Sequence, residues 1–103
     1  MGFARFRKAT VSADGASNVT GWISLKKGGI VTIQGTITGA VTLQRRGADN
    51  VVVDVTNNAG TIATFTAVGT YTLGPDETQA EYRLNAKAGA VSAFPFTMMI
   101  EGR

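Results

Sequence analysis

Apolar and polar residues alternate along this chain with a period of two, the repeat of a β-strand that buries one face. In 19–25, Val19, Ile23 and Leu25 share one face, and Thr20, Trp22 and Ser24 share the other. In 30–38, Val31, Ile33 and Ile37 oppose Thr32, Gln34, Thr36 and Thr38, and in the next segment Val41 and Leu43 oppose Thr42 and Gln44. Val51, Val53 and Val55 then oppose Asp54 and Thr56. The second half repeats the pattern. Ala63, Phe65 and Ala67 oppose Thr64 and Thr66, and Tyr71 and Leu73 oppose Thr70 and Thr72. Tyr82, Leu84 and Ala86 oppose Glu81, Arg83, Asn85 and Lys87, while Phe94, Phe96, Met98 and Ile100 oppose Thr97, Met99 and Glu101. The pattern predicts about eight short strands, each apolar on one face.

Turn-forming residues punctuate them: Lys27-Gly28-Gly29, Gly39, Gly47-Ala48-Asp49-Asn50, Asn57-Asn58-Ala59-Gly60, Gly74-Pro75-Asp76 and Ala88-Gly89-Ala90. No window sustains a helical period. One-sided strands must bury their apolar faces against each other, so the expected fold is all-β, a two-sheet antiparallel β-sandwich of jelly-roll or immunoglobulin-like type. It is expected to occupy residues 19–103. Residues 1–18 interleave Phe3 and Phe6 with Arg5, Arg7 and Lys8 and then run into a Ser/Ala/Gly/Asp linker. They read as an extended N-terminal arm that orders against a partner.

The segment VTLQRRGADNVVVDV, Val41 to Val55, reads as a hairpin whose apolar faces must coincide. Leu43 has to share a face with Val53 and not with Asp54, because a one-residue slip would turn a carboxylate inward. That parity requires an odd loop, and the register expected puts Arg45 opposite Val51 with a five-residue loop from Arg46 to Asn50. Arg45 then covers the edge of the core and meets Asp49 or a carbonyl, while Arg46 rides at the loop tip and is free for a surface contact.

Composition narrows the chemistry. The 103 residues contain no Cys and no His, which removes disulfides, the usual zinc sites, thiol nucleophiles and imidazole bases. Asp76 and Glu77 read as turn residues, and Asp54 and Glu81 as outward partners for Arg83 or Lys87, so no set of groups fills the acid, base and stabiliser roles of an enzyme. Gly28-Gly29 joins two strands and does not precede a helix, so it is a turn and not a phosphate loop. No cofactor or metal is expected. The net charge of +3 is too small to argue nucleic-acid binding. The chain lacks both a signal-peptide core and the ~20 apolar residues of a spanning helix, so a soluble protein made in a cytoplasm is expected, with no membrane partner.

Recognition surfaces are more informative. A Trp on the polar face of its strand, Trp22, is either covered within the monomer or held at an intermolecular contact. Pro95 and Met99 face outward on the last strand and are expected on an edge or bulge, where they would support a homo-oligomer. Phe3, Arg5, Phe6, Arg7 and Lys8 form the candidate arm contact, and Arg46 adds a cation.

The segments Gly35–Arg45 (GTITGAVTLQR), Val53–Val55 (VDV), Ala63–Ala67 (ATFTA) and Glu81–Leu84 (EYRL) together resemble small β-sandwich proteins of tailed-bacteriophage virions. The hairpin after Arg45 is shorter than in that pattern and lacks its Trp, and the last strand is more apolar. The resemblance implies a non-enzymatic virion component, foremost a capsid decoration or cement protein whose partner is the major capsid protein. A head–tail, neck, tail or fibre module is the alternative. A carbohydrate-binding sandwich using Trp22 is a third reading, weakened because Tyr71 and Tyr82 fall on core faces and a small-molecule ligand is not otherwise indicated.

Overall fold

The computed structural model describes residues 5–15, 18–56, 60 and 62–103; Phe3 and the turn residues Asn57, Asn58 and Ala59 lie outside them. The strands are β1 (Arg5–Val11), β2 (Ile23–Ser24), β3 (Gly29–Gly35), β4 (Val41–Arg46), β5 (Val52–Asp54), β6 (Thr64–Phe65), β7 (Gly69–Leu73), β8 (Glu81–Asn85) and β9 (Phe96–Gly102). They form two antiparallel sheets, β1-β9-β3-β7 and β2-β8-β4-β5, with β6 also paired to β4. β5 takes the Gln44–Arg46 half of β4 and β6 takes the Val41–Thr42 half, so the two make one edge strand interrupted by an excursion. Counted that way, every other connection crosses between sheets. Strands laid down in that order are a jelly roll, with two interlocked Greek keys.

The core lies between the sheets. Val31 and Ile33 of β3 and Phe96, Met98 and Ile100 of β9 meet Val41 and Leu43 of β4 and Leu84 of β8, all buried. These are the inward positions of the two-residue repeat, so the alternation placed them correctly. Buried Val11, Ala80 and Val91 join them from segments the repeat left unassigned.

Four local features depart from the alternation. Arg5–Val11, expected in a free arm, is a full strand in register with β9, from Arg5 opposite Gly102 to Val11 opposite Phe96. Its apolar pattern is hidden because the inward positions at its start are Arg5 and Arg7, which face an open cleft and not the core. The second departure follows from the first. β9 is paired on both sides, by β1 and by β3, so Met99 stands on the outer face of a central strand between Lys8 and Thr32. Pro95 precedes that strand, and its carbonyl accepts the Thr36 N–H. Neither residue forms a sheet edge.

The third departure is a bulge. Val19 bridges Asn85 and the Thr20 N–H donates to Leu84 O, whereas Ile23 pairs with Tyr82, so Gly21 is the extra residue between the two registers. Alternation is broken there. Thr20 turns inward and is buried, its hydroxyl accepting the Leu84 N–H, while Trp22 and Ser24 stay outward.

The fourth concerns the hairpin. Its loop has five residues and the expected parity, but it is displaced by one: Arg45 faces Val53, Arg46 faces Val52, and the loop is Gly47–Val51. Arg46 is therefore the last strand residue and not the loop tip. Asn50 turns the loop with φ 60°, a left-handed conformation that Asn tolerates. Val51 and Val53, expected in the core, are 56% and 49% exposed. β5 is a three-residue strand at the edge of its sheet, where inward parity does not bring burial.

Candidate functional site: an arginine-rich cleft around Trp22

The outer face of the second sheet carries a polar network built on β4 and β8. Gln44 is its hub, buried although it points outward. It donates to Asp54 Oδ1 at 2.9 Å and accepts from Arg83 Nε at 2.9 Å and Asn85 Nδ2 at 3.1 Å. Lys87 Nζ closes the far end on Asp54 Oδ2 at 2.6 Å. Lys87, and after it Gln44, hold the Asp54 carboxyl below its ordinary pKa. These outward residues meet because the Gln44–Arg83 and Gln44–Asp54 pairs are direct cross-strand neighbours.

Trp22 lies at the other end of this face, where the Gly21 bulge aims it. The guanidinium carbons of Arg46 and Arg83 stand 4.4 Å and 4.6 Å from its ring centroid, within cation–π range. Arg46 is also fixed to Glu81 Oε1 through Nε at 3.1 Å and Nη2 at 2.9 Å. Arg83 has no ion-pair partner among the described residues. Burial, and then the charge of Arg46, lower its pKa. Trp22 is thus covered in part within the monomer, by two cations.

Beside Trp22 opens a cleft of 490 Å³ between the edge strands β1 and β2, walled by Arg5, Arg7, Trp22, Ile23, Ser24 and Glu81. The glycine of the bulge matters here: a Cβ on Gly21 would stand 2.9 Å from Arg7 Cδ, so its absence lets the Arg7 stem lie across the chain. Arg7 Nη1 donates to Phe6 O at 3.0 Å, and Arg5 Nη2 donates to Arg103 O at 3.1 Å and to Ser24 O at 3.4 Å. Neither is paired with an Asp or Glu side chain among the described residues. Two guanidiniums, Arg5 and Arg7, thus line the cleft and two more, Arg46 and Arg83, stack on the Trp22 at its wall, against one lining carboxylate, Glu81, which Arg46 already engages. Such a concentration of one sign in a concave site attracts anions.

A second cluster is structural. Asp76 accepts four hydrogen bonds: from the Thr78 N–H (3.0 Å) and hydroxyl (2.6 Å) on Oδ1, and from Arg45 Nε (3.0 Å) and the Tyr82 hydroxyl (2.5 Å) on Oδ2. Arg45 thus reaches the core edge as its strand position implied, but its partners are Asp76 and Thr78, not Asp49. Thr78, then Tyr82, hold the Asp76 carboxyl far below its ordinary range, and burial, then the hydrogen bond to Asp76, raises the Tyr82 pKa. Above this cluster, Leu25, Leu43, Val55, Ala63, Leu73 and Tyr82 line an apolar crevice of 270 Å³ between the sheets.

Of the residues singled out by sequence, Arg5, Phe6, Arg7 and Trp22 come together at the cleft, and Arg46 adjoins them through Trp22. Lys8 and Met99 are neighbours on the other sheet's outer face, and Pro95 stands apart at the start of β9. Gln44 was legible only as an outward residue, and Arg83 as an outward partner for Asp54 or Glu81; instead Lys87 takes Asp54 and Arg46 takes Glu81. The alternation showed their face, but the strand order that sets them beside Trp22 is tertiary. No protein-family model, curated protein or solved structure matches the chain.

Proposed function

We propose that this chain is a non-enzymatic structural protein of a tailed-bacteriophage virion, a decoration protein that binds the major capsid protein and cements the head surface. The observation that carries the reading is the arginine-rich cleft around Trp22, opening between two sheet edges of a jelly roll. Jelly rolls recur in viral capsid proteins and lectins, so the fold alone does not choose between virion and sugar binding. The site favours protein contact: both cations at Trp22 occupy ring surface that a sugar would need, and Trp and Arg are each enriched among the residues that dominate protein interfaces. Asp54, Asp76 and Glu81 are committed to Lys87, Arg45 and Arg46, which leaves these carboxylates to hold the fold rather than to move protons. A lattice of many copies, each binding modestly and assembled as homo-oligomers at capsomer junctions, would reinforce the shell collectively.

The test is quantitative densitometry of purified virions of the encoding phage, followed by re-addition of the protein to particles stripped of it. Decoration requires a copy number comparable to that of the capsid protein, and Trp22→Ala should weaken rebinding at least tenfold. A handful of copies per particle would assign the chain to the neck or tail instead. Absence from the particle would refute the virion reading.

A further inference from the structure

The free edge of β1 lies directly beside the arginine cleft, and its hydrogen-bonding direction follows from β9. Arg103 N–H donates to Gly28 O and Thr36 N–H donates to Pro95 O, so the odd-numbered residues of β9 turn their backbone groups toward β3 and the even-numbered ones toward β1. The partners of those even-numbered residues are Arg5, Arg7, Ala9 and Val11. Phe6, Lys8 and Thr10 therefore point their N–H and C=O groups away from the sheet, along a seven-residue edge whose strand pairings, among the described residues, are with β9 alone; of these groups Phe6 O already accepts Arg7 Nη1, a bond an added strand would have to replace. A strand added at that edge would alternate its side chains as β1 does. Residues opposite Arg5 and Arg7 would enter the cleft, and the residue between them would pack beside Phe6, which is 46% exposed.

We propose that β1 is the docking edge for an extended segment of a partner protein that carries carboxylates two residues apart, seated against Arg5 and Arg7. This deepens the virion reading by naming the partner's chemistry, and it rests on that reading only in taking the partner to be a capsid protein. Charge selects the occupant: neither Arg5 nor Arg7 is paired with an Asp or Glu side chain among the described residues. A second copy of β1 is disfavoured, because it would bring Arg5, Arg7 and Lys8 of both copies to one seam without a β1 carboxylate to offset them. A polynucleotide would use the cations but not the alternating donors and acceptors of the edge, which match another peptide backbone.

The probes are acetyl-(Val-Glu)3-amide, acetyl-(Val-Lys)3-amide, the glutamate peptide N-methylated on alternate residues, and oligo-deoxythymidine, titrated by NMR. The glutamate peptide should bind, protect the Phe6, Lys8 and Thr10 amides from hydrogen exchange, and weaken as salt is raised. The lysine peptide and the N-methylated peptide should each bind at least tenfold more weakly. Arg7→Gln should reduce affinity severalfold and Arg5→Glu with Arg7→Glu should abolish it, the fold being checked by circular dichroism. The N-methylated arm needs no protein variant and decides the question even if the double variant unfolds. Equal binding of the N-methylated peptide, preference for oligo-deoxythymidine, or protection centred away from β1 would overturn the proposal. Capsid rebinding separates the two readings: undiminished rebinding by folded Arg5→Glu/Arg7→Glu protein overturns this inference and leaves decoration standing. Tight glutamate-peptide binding by a chain absent from virions supports the edge and removes the virion reading.

Discussion

Replacing Asp76 by Asn tests the electrostatic centre of the sandwich. The carboxylate is about five-sixths buried by side-chain area, with 15% exposed, and both oxygens are saturated by donors. An amide has one acceptor, so either the Thr78 pair or the Arg45 and Tyr82 pair meets an N–H₂ donor. Two charge-assisted bonds are lost or weakened, at roughly 1.5–3 kcal/mol each before discounting for the exposed Thr78 and the one-third-exposed Arg45. We expect Asp76→Asn to cost about 2–3 kcal/mol at pH 7, a fall in Tm on the order of 10–20 °C for a domain of this size. The pH dependence is diagnostic. Because the folded carboxyl titrates far below its ordinary range, its contribution is complete above the unfolded value of about 3.9 and is lost as pH falls below it. Between about pH 3.9 and 2 the unfolded chain holds this proton and the folded chain does not, so the wild type should lose about 1.4 kcal/mol per pH unit from this group. Asp76→Asn lacks that dependence. Urea unfolding of both proteins at pH 7, 4, 3 and 2.5 should show the gap between them closing as the solution becomes acidic. A gap that stays constant over that range would refute the assignment of the stabilisation to the ionised Asp76.

Two further changes probe the backbone. Gly39 has φ +116° and a Cβ there would collide with the Ala90 carbonyl, so Gly39→Ala should destabilise by about 1–3 kcal/mol in urea unfolding, although it alters no charge or core contact. Deleting residues 1–8 removes the hydrogen-bonded pairs Arg5–Gly102 and Arg7–Ile100, so stability should fall by about 2–4 kcal/mol and β9 should gain an open edge. Unfolding midpoints and light scattering would check both effects, and an unchanged midpoint would mean that β1 contributes no net stability.

The period-two pattern by itself determined the class of fold, because a strand with one apolar face has to be covered by a second sheet. Val31, Ile33, Leu43, Leu84, Phe96, Met98 and Ile100 were legible as core from parity alone. Parity also gave the hairpin's odd loop and placed Trp22, Arg83 and Gln44 outward. Tertiary structure decided what parity does not encode, namely which strands are neighbours and which inward positions are covered. The Arg5 and Arg7 positions look unlike a buried strand because they face a cleft, and Val51 and Val53 look like core although they are about half exposed at the sheet edge. Gly21 could not be recognised as a bulge from the local sequence, since the extra residue exists only relative to β8. The site depends on those non-local facts. Side-chain alternation is a property of one strand, whereas the gathering of Arg5, Arg7, Arg46 and Arg83 around Trp22 needs β1, β2, β4 and β8 in their jelly-roll order.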